Sequence, residues 1–221
     1  MSPYVNIHTH QVGEGVCILD IGNGNVTEEE NEIQGMRRVF YSVGVHPMNS
    51  VDTWAKAMSE VESALRMDKV IAVGECGLDR RSPICLEKQE RIFKQQVELA
   101  ERWHKPLIVH CVKAYSELIT IKKQMLSSVP WIVHGYNNNG QILRELLNHG
   151  FYISLGMTLL NPLSNASKLL RTIPMEALFL ETDDKEVAIH LVYEAAGKIL
   201  GVQMEELQNL IWCNYNKVFA K

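Results

Sequence analysis

Short apolar runs rich in valine and isoleucine alternate along this chain with longer stretches in which apolar residues recur at helical spacing. The short runs predict strands at Tyr4–His10, Cys17–Ile21, Val39–Val45, Val70–Glu75, Leu107–Cys111, Trp131–His134, Tyr152–Leu155 and Leu178–Thr182. Several are apolar without interruption, the pattern of strands covered on both faces in a parallel sheet. Trp54, Met58, Val61 and Leu65 mark one helical stripe, and Leu86, Phe93, Val97 and Ala100 mark another with charges between them. Further helices are expected at Ala114–Met125, Gln141–Asn148, Lys185–Leu200 (stopped by Gly201) and Met204–Phe219. Strands alternating with helices in this way predict an α/β fold, a distorted TIM-type (β/α)8 barrel, with a flat doubly wound sheet as the alternative. The first βα unit is shortened. Gln11–Val16 is too short for a helix, and only Glu28–Gly35 offers a brief one before the third strand. The acids at Thr27–Glu30 read as a capped first turn. No repeat or linker divides the chain, so residues 1–221 are expected to form one domain.

Where the strands end, ligand-type residues recur. "VNIHTHQ" (Val5–Gln11) places His8 and His10 two apart and hence on one face of the first strand. "IAVGECGLD" reaches Glu75, "PLIVHC" reaches His110, "WIVHGY" reaches His134 and "LFLETDD" reaches Asp183. In a parallel barrel every strand opens its C-terminal end onto one mouth, where the active sites of this fold sit. A single strand-end histidine is ordinarily a hydrogen-bonded structural residue. Four imidazoles and two carboxylates at one rim are hard to attribute to packing, which selects Val or Leu, and without a cation such a cluster is costly. The set therefore predicts a metal site.

Composition narrows the remaining choices. Of 221 residues, 46% are hydrophobic and 22% charged, the balance of an ordinary globular protein. No apolar run approaches the ~18 residues of a membrane helix, and the first residues lack a signal-peptide layout, so a cytoplasmic chain without a membrane partner is expected. A net charge of −4 argues against a broad nucleic-acid surface. Bound dications would still invert the field locally and receive phosphates. Five cysteines without a CxxC pair read as reduced structural thiols, with Cys76 and Cys111 packed behind the strand-end ligands they follow. His104, His149 and His190 fall in or beside helices and read as structural or solvent-facing.

The order HxH, GVHP (Gly44–Pro47), GECGLD (Gly74–Asp79), two Val-His strand ends and ETD (Glu181–Asp183) resembles the TatD family of metal-dependent hydrolases, which belong to the amidohydrolase-like barrels. The resemblance spans nearly the whole chain. It implies two divalent metal ions and phosphodiester hydrolysis, typically as a deoxyribonuclease of exonuclease character. Carried over by residue, His8, His10 and Asp183 would hold one ion, His110 and His134 the second, and Glu75 would bridge them. Asp183 and Glu75 would be the catalytic carboxylates, and the imidazoles favour Zn2+ or Mn2+ while leaving Mg2+ open. His46 in the GVHP loop is either a substrate contact or a turn-stabilising hydrogen bond, and Asp79 either supports a ligand or holds a turn.

The departures from the family concern substrate. The family's arginine after the first Val-His end is replaced by Val112, with Lys113 beside it as a phosphate contact or an exposed helix-start residue. Its Cys-Phe-Ser stretch becomes Gly135, Tyr136 and Asn137, where Tyr136 and the Asn137–Gly140 run contact a ligand or cap the next helix. After Asp183 the family's proline- and arginine-bearing loop is missing, so the mouth is expected to be more open and less basic. The partners that fit are nucleic-acid ends or a small phosphodiester, and the sequence names no protein partner. Two alternatives stay open, an amide or ester hydrolase on the same scaffold and a non-catalytic metal-binding protein.

Overall fold

The strands are buried along almost their whole length, and that burial sets the architecture. A computed structural model describes residues 2–22, 38–49 and 54–220, so the turn at Thr27–Glu30 and the helix expected at Glu28–Gly35 lie outside the described residues. The strands are β1 (Val5–Thr9), β2 (Val16–Asp20), β3 (Arg38–Val43), β4 (Val70–Asp79), β5 (Leu107–Val112), β6 (Trp131–Val133), β7 (Tyr152–Leu155) and β8 (Leu178–Leu180). They lie side by side in chain order, each parallel to the next. Helices α1 (Trp54–Ala64), α2 (Leu86–Trp103), α3 (Tyr115–Met125), α4 (Gly140–Asn148), α5 (Asn165–Leu169), α6 (Ile189–Leu200) and α7 (Met204–Phe219) surround them. The fold is the expected TIM-type barrel rather than the flat sheet.

Side chains complete the closure where the backbone ladder is thin. β1 and β8 meet through a single bridge, Thr9 to Asp183. The Asn6 amide donates to Thr182 Oγ1 at 2.8 Å, and its carbonyl accepts the Thr182 N–H at 3.1 Å. Lower on the seam, the Tyr193 hydroxyl of α6 accepts the Val5 N–H and donates to the Val5 carbonyl, both at 3.0 Å. These bonds satisfy strand-edge groups that would otherwise be buried unpaired.

Most boundaries fall within two residues of the sequence pattern, and two differ by four. β4 continues past Glu75 to Asp79, because Gly77 lets β4 lie against β5. At φ +144°, a Cβ on Gly77 would fall 2.0 Å from the His110 carbonyl oxygen, so only glycine fits. Helix α6 begins at Ile189 instead of Lys185. Asp183 takes a left-handed φ of 56°, and the next residues form tight turns, with the Lys185 N–H on the Thr182 carbonyl and the Val187 N–H on the Lys185 carbonyl. Short α5, capped by Ser164 Oγ on the Ser167 N–H, has no counterpart in the periodicity, since five residues are too few to show one. Cys17, Cys76 and Cys111 are buried, Cys85 and Cys213 exposed, and all five are free thiols. No described helix is long and apolar enough to cross a membrane.

The seam gives a direct stability test. Tyr193→Phe strands the Val5 amide and carbonyl and should cost roughly 1–3 kcal/mol. The midpoint of urea unfolding should fall accordingly.

Candidate metal centre

Glu75 stands at the centre of the barrel mouth, and its two oxygens face different histidines. Oε2 lies 3.4 Å from His8 Nε2 and 3.9 Å from His10 Nε2. Oε1 lies 2.7 Å from His110 Nδ1, 2.9 Å from His134 Nε2 and 3.2 Å from His46 Nε2. Asp183 Oδ1 approaches the first pair, 3.4 Å from His8 Nε2 and 3.7 Å from His10 Nε2. All six residues expected as ligands therefore meet in one cluster, with Glu75 between two groups of imidazoles.

Three sets of ligand atoms come close enough to share an ion: His8, His10 and Glu75; His8, His134 and Asp183; and His46, Glu75 and His110. This grouping differs from the expected partition. His134 leans toward His8, with ring centroids 4.3 Å apart, and His46 joins the His110 side.

The metal question can be tested on the polar groups themselves. Both ring nitrogens of His8 and Nδ1 of His134 are buried without a hydrogen-bond partner. Such groups are normally satisfied, and a cation satisfies imidazole lone pairs. The electrostatics agree. Burial opposes a charge on Glu75, but His134, His110 and His46 outweigh it and hold the carboxyl far below the usual range. Burial also opposes ionisation of Asp183, yet His8 and His134 draw it down to about 2. Burial and His134 work against a proton on His8, and the Asp183 and Glu75 carboxylates overcome both, raising it to about 9. Acceptor-rich carboxylates around buried imidazoles make a ready cation site, and the donor set fits a divalent metal.

A further layer of carboxylates orients the rings. His110 Nε2 meets Asp79 Oδ2 at 3.0 Å. His110 thus stands between two carboxylates, with Nδ1 2.7 Å from Glu75 Oε1, and when Nε2–H donates to Asp79 the Nδ1 lone pair is left for a cation at the centre. Asp79 serves both suggested roles, since it also binds the Arg81 amide at 2.7 Å and the Arg81 guanidinium at 3.0 Å. Burial opposes its ionisation, and Arg81 and His110 bring it down to about 2. Behind His134, fully buried Glu181 lies 3.5 Å from Nδ1 and accepts the Gly135 N–H at 2.6 Å. Asp20, at the end of β2, accepts the Glu75 N–H at 3.1 Å and the Gly22 N–H at 3.3 Å. Its Oδ2 lies 3.9 Å from His10 Nδ1. Burial and the nearby Glu75 charge raise Asp20's carboxyl against the pull of the imidazoles.

Asp20 and Glu181 were not singled out from sequence. Asp20 carried the same signal as the other ligands, an acid closing the apolar run "CILD", but it was hidden by extending that strand to Ile21.

His46 differs from the other rings. Its Nδ1 accepts the Met48 N–H at 3.2 Å, so its proton sits on Nε2, directed at Glu75. It thus makes the turn bond and also faces the centre. Lys113 is exposed at the end of β5 with a left-handed φ of 56°. Tyr136 stands apart from the other candidates. It is fully buried, and its hydroxyl donates to the Asn139 carbonyl at 2.6 Å. Asn139 in turn caps α4 by accepting the Gln141 and Ile142 N–H groups, both at 3.0 Å.

Comparison with known proteins agrees with this geometry. The sequence profile of the family described as TatD related DNase matches residues 9–220. The chain is similar to the 3'-5' ssDNA/RNA exonuclease TatD of Salmonella typhimurium, 30% identical over 76% of this chain and 68% of that protein. It is also similar to the uncharacterized metal-dependent hydrolase YabD of Bacillus subtilis, 27% identical over 77% of this chain and 68% of that one. Among solved structures, the TatD homologue YJJV of Escherichia coli superposes with a TM-score of 0.79 at 21% identity, covering 99% of this chain and 98% of that one.

The orienting carboxylate behind His110 yields a measurable expectation. Asp79→Asn should weaken Mn2+ or Zn2+ binding by roughly 10- to 100-fold. Titration calorimetry on refolded, chelator-treated protein should read that loss, while Glu75→Gln should bind far less metal still.

Proposed function

Because the chain belongs to the TatD-related DNase family, with the family profile spanning residues 9–220, we propose that this metal-dependent hydrolase cleaves phosphodiester bonds at the ends of single-stranded nucleic acids. The observation that carries this reading is Glu75, whose two oxygens face separate imidazole groups. That arrangement supports a pair of ions, His8, His10 and Asp183 on one side and His110 and His134 on the other, with Glu75 shared. The relatives named as ssDNA/RNA exonucleases supply the substrate class.

Bound divalent ions would supply charge stabilisation for a phosphoryl group and a water acidic enough to attack at neutral pH. The chain's own residues do the rest. Asp183, the most exposed carboxylate of the cluster, reaches the mouth with an ionised oxygen and acts as the proton acceptor for attacking water. His46 directs Nε2–H at Glu75 Oε1, 3.2 Å away, and would turn that donor to a phosphoryl oxygen when substrate is bound. Lys113 lies at the rim, where its ammonium contacts a neighbouring phosphate. Tyr136 acts indirectly in this reading, holding the loop that starts α4.

Metal-loaded protein should release mononucleotides from single-stranded DNA or RNA oligomers, stop on chelation, and be inactive as Glu75→Gln. If loaded wild type releases none while an N-acyl substrate panel turns over, the phosphodiester assignment is wrong.

A further inference from the structure

Helix α2 buries two amides on an otherwise apolar face. Gln89, Phe93, Gln96 and Ala100 recur along it at helical spacing and all four are buried, Gln96 completely and Gln89 with 3% exposed. An amide taken out of water without a partner is destabilising, and an apolar side chain would ordinarily fill such positions. Both glutamine side chains are paired, and neither finds its partner within its own helix.

Each side chain instead pairs with both backbone groups of one residue beside the metal centre. Gln96 Oε1 accepts the Val45 N–H at 2.7 Å, and its Nε2 donates to the Val45 carbonyl at 3.1 Å. β3 ends at Val43, so Gln96 satisfies backbone groups that lie beyond the strand. The next residue is His46, whose Nε2 faces Glu75 Oε1 at 3.2 Å. Gln89 repeats the arrangement. Its Oε1 accepts the Asp79 N–H at 2.8 Å, and its Nε2 donates to the Asp79 carbonyl at 3.0 Å and the Ile84 carbonyl at 2.7 Å. The Asp79 carboxylate so placed meets His110 Nε2 at 3.0 Å. Seven residues of one helix span about 10 Å, so α2 fixes the separation of the supports behind His46 and His110.

We propose that Gln89 and Gln96 are positioning residues of the centre, Gln96 directing His46 through Val45 and Gln89 directing His110 through Asp79. The two roles serve different ends. Gln89 acts on a candidate metal ligand, so its loss is read in metal affinity. Gln96 acts on the imidazole that faces the centre with a proton, so its loss is read in turnover, a readout that rests on the phosphodiester reading. A glutamine that only packed α2 against the barrel would change stability without this division.

Methionine keeps the length of the glutamine side chain and removes its hydrogen bonds, so the test replaces each glutamine by methionine. Gln89→Met is combined with Asp79→Asn, and Gln96→Met with His46→Ala, the residue each glutamine acts through. Affinity for Mn2+ is measured by titration calorimetry on chelator-treated protein, and kcat and KM on a single-stranded DNA oligomer with metal-loaded protein. Ring-nitrogen NMR of histidine-labelled, metal-free protein reports separately whether His46 keeps Nδ1 as acceptor and its proton on Nε2. Gln89→Glu and Gln96→Glu, which keep an acceptor for the backbone N–H, carry the same comparisons where a methionine variant does not fold.

Gln89→Met should weaken Mn2+ binding roughly tenfold, and by less than about twofold further in the Asp79→Asn background. Gln96→Met should lower kcat roughly tenfold with Mn2+ affinity held within about twofold, and should add less than about twofold to His46→Ala. The His46 ring signals should change in Gln96→Met and stay as in wild type in Gln89→Met. Losses that add in either cycle, or His46 signals and Mn2+ affinity both unaltered, overturn the proposal. If wild type cleaves no phosphodiester, that reading fails, and calorimetry with the ring signals decides the positioning roles by itself.

Discussion

One carboxylate holds the mouth of this barrel together. Glu75 gathers five imidazoles from three strand ends and a loop, and its two oxygens divide them into two groups. Its own position is fixed through the backbone by Asp20 and through β4 by a close approach to β5 that requires Gly77. A buried carboxylate so surrounded is stable only as an anion, and the uncompensated nitrogens of His8 and His134 mark where positive charge belongs. The rest of the barrel can be read as a frame that brings these groups within reach.

Carboxylates stand behind three of the rings, and one of them, Asp79, is hydrogen-bonded to its imidazole. Asp79 backs His110, Glu181 stands behind His134 and Asp20 approaches His10. His46 is backed by an amide N–H instead, so its inward nitrogen carries a proton. Imidazoles that look equivalent in sequence thus differ, His110 being backed by a carboxylate and His46 by an amide N–H. The division follows from what a carboxylate and an amide can each accept or donate.

The same economy shapes the approach to the centre. The connections on the β1 and β8 sides, residues 10–15 and 181–188, carry no helix, while the seam is secured by Asn6, Thr182 and Tyr193. Stability at the seam is therefore supplied by side chains from β1, the segment after β8, and α6. A barrel can tolerate such thin closure because each strand is otherwise buried on both sides by helices and neighbours.

Strand count, parallel order and the convergence of His8, His10, Glu75, His110, His134 and Asp183 were legible from sequence, because buried strands write themselves as apolar runs and functional groups fall at their ends. Other features depended on distances that sequence does not carry. Lys185–Ala188 looked helical, but a left-handed Asp183 and tight turns pushed the start of α6 to Ile189. Sequence left Tyr136 open between a ligand contact and a turn capping the next helix, and its buried hydroxyl bonds Asn139, the cap of α4. The tautomer of His46, the lean of His134 toward His8 and the support from Asp20 and Glu181 were set only by packing. Periodicity records which side of a strand meets the core, whereas the partner of a given nitrogen depends on where several distant strands come to rest.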